Sequence, residues 1–64
     1  MKAEEKLKRI YPDCEITKSC EDTNYHSYIV SGKGFMLIAL VTKTNPTKCY
    51  IHNYNGKLIK VTAL

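Results

Sequence analysis

The sequence predicts an α+β fold: a short N-terminal helix packed on a four- to five-stranded antiparallel meander sheet, in a single domain over residues 1–64. Three observations carry this. Phe35 to Val41 reads Phe-Met-Leu-Ile-Ala-Leu-Val, an unbroken apolar run. It is far too short to cross a bilayer as a helix, which needs about 20 residues, but it suits a strand buried on both faces. Strand-like segments on either side of it are separated by turn signals at Glu21-Asp22-Thr23-Asn24, Gly32-Lys33-Gly34, Thr44-Asn45-Pro46-Thr47 and Asn55-Gly56. Helical periodicity is confined to the N-terminus, where Ala3, Leu7 and Ile10 recur at i, i+4 and i+7.

That periodicity predicts a helix over residues 2–11. Glu4 precedes Lys8 and Glu5 precedes Arg9 by one helical turn, the favourable order for such pairs, each contributing about 0.2–0.5 kcal/mol. Pro12 stops the helix at Tyr11, because proline has no amide hydrogen and pushes the preceding residue out of the helical region. Cys14 to Ser19 alternates as a first strand, with Cys14, Ile16 and Lys18 on one side, and is polar enough to be an edge. Tyr25 to Ser31 is the second strand, rich in residues that suit a pleated surface. The Gly-Lys-Gly turn then delivers the chain into the third, in which Phe35, Leu37, Ala39 and Val41 face one way and Met36, Ile38 and Leu40 the other. Lys48 to Tyr54 forms the fourth strand. Asn55-Gly56 predicts a two-residue hairpin with positive φ at both positions. Lys57 to Ala63 closes the sheet, with Ile59, Val61 and Ala63 expected to face inward and Lys60 and Thr62 to face water.

A chain of 64 residues buries only about 60% of its unfolded surface, so its stability should be about 3–10 kcal/mol. The 44% apolar and 25% charged fractions describe an ordered globular chain. Net charge is +4, and every carboxylate side chain lies before Thr23, leaving Lys33, Lys43, Lys48, Lys57 and Lys60 unopposed in the C-terminal part. The sheet side is therefore expected to be basic and the helix side near neutral, a distribution that attracts acidic partners or keeps a small sheet soluble. No apolar leader or membrane-length segment is present, and three cysteines are too few and odd in number for a secreted disulfide framework. The expectation is a cytoplasmic protein, and the richness in Lys, Ile, Asn and Tyr is the usage of AT-rich bacteria and their phages, which allows a phage-derived origin.

The helix ending near Tyr11-Pro12, the antiparallel strands and the last hairpin, Tyr50-Ile51-His52-Asn53-Tyr54-Asn55-Gly56-Lys57-Leu58-Ile59, resemble a PepSY-type domain. The acidic strands and export signal common in that family are missing. The resemblance implies a non-enzymatic interaction or inhibitory module.

No arrangement here predicts catalysis or a cofactor. Cys14, Cys20, His26, Cys49 and His52 supply metal-ligand chemistry, but Cys49 and His52 fall on opposite faces of one strand and no Cys-x2-Cys knuckle exists. Gly32-Lys33-Gly34 joins strands, so it is a turn and not a phosphate loop. Two binding expectations remain. One helix covers only part of one face, so some of Met36, Ile38 and Leu40 or of Phe35, Leu37 and Val41 would face water in a monomer. Met36, Ile38 and Leu40 are taken as a protein interface, in a homodimer or with another protein, with curling of the sheet into a half-barrel as the alternative remedy. The alternative is single-stranded nucleic acid bound on a face made by Tyr28, Tyr50, His52 and Tyr54 and flanked by Lys33, Lys48 and Lys57.

Overall fold

The computed structural model describes residues 3–44 and 46–64. The element order is α1 (Ala3–Ile10), β1 (Glu15–Glu21), β2 (Tyr25–Gly32), β3 (Phe35–Thr42), β4 (Lys48–Asn53) and β5 (Leu58–Ala63). The strands form a five-stranded antiparallel sheet in the order β1-β2-β3-β4-β5, so the expected meander is what the chain builds. The apolar run is its middle strand. Lys2 and Asn45, part of the expected helix and of the expected turn, lie outside the described residues.

α1 has acidic residues in its first turn and basic residues in its last, the order that complements the helix dipole. The expected Glu4–Lys8 and Glu5–Arg9 pairs do not close: every ion pair among the described residues involves Glu21. Leu7 is fully buried and is the helix's anchor. Beneath it the sheet presents Ile16, Tyr28, Val30, Ala39, Val41, Cys49 and Ile51, with Ala3, Tyr11, Cys14, Leu37 and Leu64 at the margins. The helix lies nearest the edge strand β1, with Leu7 reaching into this cluster. Burial pushes the Cys49 thiol up to about 11, so it behaves as a small apolar group and not as a nucleophile.

Cross-strand pairing gives each face its membership, since directly opposed residues share a side. Tyr28, Ala39, Ile51 and Lys60 form one row under the helix. Ser27, Leu40, Tyr50 and Val61 form a row on the opposite face, and Ile29, Ile38, His52 and Leu58 the next. The expected alternation of β3 is therefore correct, and it is the Leu37, Ala39 and Val41 side that the helix covers.

Two expectations about the last hairpin are overturned. Among non-glycine residues of the described chain none has positive φ; only Gly34 and Gly56 do. Asn53 explains this: its Oδ1 accepts from the N–H of Asn55 at 3.0 Å and of Lys57 at 2.9 Å, while its N–H bonds the Lys57 carbonyl. The loop is thus three residues, Tyr54-Asn55-Gly56, and one left-handed glycine suffices. The faces of β5 are also reversed from the expectation. Val61 lies beside Tyr50 on the helix-free face and is 49% exposed, while Lys60 lies beside Ile51 on the helix side, its Nζ 5.8 Å from the Tyr11 ring centroid. Alternation marks two faces, but only the register with β4 says which is covered.

Candidate functional site

The helix-free face of the sheet is built by residues that the strand period places together. Met36, Ile38 and Leu40 of β3 form its spine, as expected; Met36 is exposed, and Ile38 and Leu40 are half-buried by their neighbours. Ile29 stands beside Ile38 and Val61 in the row of Leu40. Leu58 and Ile59 are 49% and 54% exposed, and a bulge opposite Ile51 and His52 adds the extra residue in β5. Tyr25 closes one end, its ring edge-on to Tyr50 with centroids 6.5 Å apart and planes at 89°, the arrangement ring quadrupoles favour. Among the described residues no helix crosses this face.

The expected nucleic-acid platform does not come together as a single surface. Tyr28 pairs with Ala39 in the row beneath the helix and is only 7% exposed, whereas Tyr50 and His52 lie on the helix-free face. The reason is register: Tyr28 and Leu40 differ in parity across the β2–β3 ladder. Tyr54 has left the strand for the hairpin loop and is 68% exposed. Lys33 and Lys57 sit in the β2–β3 and β4–β5 turns at one end of the sheet, and Lys48 begins β4 at the other. Tyr25 was absent from that expectation, although its spacing from Ser27 and Ile29 already puts it on their face.

Of the C-terminal lysines expected to stand unopposed, Lys43 is answered by a carboxylate. Glu21, in β1, accepts from Lys18 Nζ and Lys43 Nζ, each at 3.0 Å, and His26 Nδ1 lies 3.1 Å from its Oε1 without the alignment of a hydrogen bond. The hydrogen bonds from the two lysines, reinforced by their charge, hold the Glu21 carboxyl down to about 2, and the same contact raises Lys18. An open groove of about 700 Å³ runs beside this cluster, lined among others by Lys6, Lys18, Lys43, His26 and Tyr28. Its cations Lys18 and Lys43 are answered by Glu21. Among the described residues no three His, Cys, Asp or Glu side chains gather as a metal site, and no helix is long and apolar enough to cross a membrane. Cys49 lies on the helix side and His52 on the other, as the strand period requires.

No family model, curated protein or solved structure matches this chain.

Proposed function

We propose that the chain is a small protein-interaction or regulatory module that acts through the helix-free sheet face. The observation that carries this reading is the contrast in cover: the described residues form one eight-residue helix, and it lies on the Leu37–Val41 side, leaving Met36, Ile38, Leu40, Val61 and Leu58 without an opposing layer. Sheets normally bury an apolar face against a second layer, so such a face favours a partner protein or a second copy of the chain. The resemblance to PepSY-type modules points to the same class of function, and the expected cytoplasmic setting would give the module soluble partners. The face holds few charges, Lys48 and Glu15 at its margins, so binding here should change little with salt. Nucleic-acid binding through Tyr25, Tyr50 and Lys48 would instead weaken steeply as salt rises, through counterion release.

Ile38→Asp tests the proposal. The substitution puts a charge at the centre of the face without touching the Leu7 core, and circular dichroism checks that the fold is kept. Sedimentation of the wild type and variant, alone and with proteins captured by the wild type, should show complexes that the variant loses. Complexes indifferent to Ile38→Asp, or a wild type that is monomeric at high concentration and captures nothing, would overturn the reading.

A further inference from the structure

The two edges of the sheet differ. β1 carries Glu15, Lys18 and Glu21 and is interrupted by a bulge between Lys18 and Cys20, both features that discourage pairing with another strand. In β5 the bulge sits near the hairpin, leaving the stretch from Lys60 onward regular, and its only charge is Lys60. The N–H of Leu64 bonds the Thr47 carbonyl at 3.0 Å, and Lys48 is opposite Ala63. Bonded and non-bonded pairs alternate along an antiparallel ladder. Cys49 and Thr62, then Ile51 and Lys60, are therefore the bonded pairs, and the N–H and C=O groups of Val61 and Ala63 point away from β4 to the free edge.

An incoming strand would meet three things there. Its backbone would find the free groups of Val61 and Ala63. Its side chains on one face would extend the apolar row of Leu40, Tyr50 and Val61. On the other face, the next residue along would stand beside Lys60, which has no carboxylate in ion-pair reach among the described residues and whose Nζ lies 5.8 Å from the Tyr11 ring centroid. We propose that β5 accepts an extended segment of another protein in which apolar and acidic side chains alternate, the apolar ones beside Val61 and Ala63 and a carboxylate beside Lys60. A second copy complements this edge less well, because β5 has a lysine and no acid to answer it. The inference rests on the reading of the chain as a protein-binding module, but the edge and the open face fail separately.

The test is selection of a displayed random decapeptide library against the purified full chain, followed by fluorescence anisotropy with the enriched peptides labelled. Enriched peptides should alternate apolar and acidic residues. Ala63→Pro removes an outward N–H and leaves the bonds to β4 in place, so it should weaken binding about tenfold, the worth of one hydrogen bond, with an unchanged circular dichroism spectrum. Lys60→Glu should turn the selected preference from acidic to basic residues. Should Ala63→Pro fail to fold, peptides N-methylated at alternate amides carry the same measurement, since one methylation phase should abolish binding. Ile38→Asp should leave peptide affinity unchanged. No enrichment, enriched peptides without alternation, or binding indifferent to Ala63→Pro and N-methylation would overturn the inference. Loss of peptide binding with Ile38→Asp alone would overturn it too, while supporting the open face. Self-association of the wild type that Ala63→Pro abolishes would place a second copy on the edge and equally contradict it.

Discussion

The two faces of this sheet are made by alternate residues of the same strands, yet they meet different fates. On one, Val30, Ala39, Val41, Cys49 and Ile51 are buried with Leu7 of α1 above them. On the other, the longer side chains of Met36, Ile38, Leu40, Tyr25 and Tyr50 face outward with no layer over them. Hydrophobicity alone does not separate the two. What separates them is cover: Leu7 of α1 closes over one, while the side chains of the other are left to pack on one another or on something else.

Truncation should break this symmetry most visibly. Leu7→Ala removes the helix's anchor and should cost about 2–5 kcal/mol, enough to unfold much of the population of so small a domain, while Met36→Ala on the open face should cost less than about 1 kcal/mol. Urea denaturation of the two variants measures the difference. Equal losses would mean that both faces contribute alike to the core.

Gly32 offers a finer probe of the covered side. A side chain there would run into the Phe35 ring and press on the Cys14 thiol. Because the Phe35 ring is half exposed and can swing aside, Gly32→Ala should cost less than about 1 kcal/mol, and Phe35→Ala in the same chain should recover part of it. The midpoint shift of thermal unfolding in the single and double variants reads this coupling.

The smallest effect concerns the charges beside the groove. The Glu21 carboxyl is held at about 2 in the fold, below its ordinary value of 4.5, by Lys18 and Lys43. A depressed folded-state value means that its contribution to stability is present above about pH 4.5 and is lost as pH falls toward 2. Because Glu21 is exposed, the effect should be small and should shrink with added salt. Glu21→Gln should flatten the stability profile in that window, measured by denaturation at a series of pH values.

Much of this fold was legible in the residues. The helix stopped by Pro12, the apolar middle strand and the turn residues between strands gave element order and meander topology. The alternation of Phe35 to Val41 gave the two sets of side chains, but not which of them the helix covers. Legibility ended where register decides. Tyr28 and Tyr50 both read as strand tyrosines, but the β2–β3 and β3–β4 ladders put them on opposite sides. Ile59 and Val61 read as inward-facing because they are apolar, whereas pairing with β4 turns Val61 to the open face. The Asn55-Gly56 signal marked a hairpin correctly, but the side chain of Asn53, outside the dipeptide, set the loop length.

The central claim, that the open face is where this protein meets its partner, is tested most directly by a photo-crosslinking amino acid placed at Ile38 and, as a control, at the exposed Lys8 of α1, followed by irradiation in living host cells. The account predicts a discrete higher-mass adduct from position 38 that is absent from position 8. No adduct at position 38, or the same adducts from both positions, would contradict it.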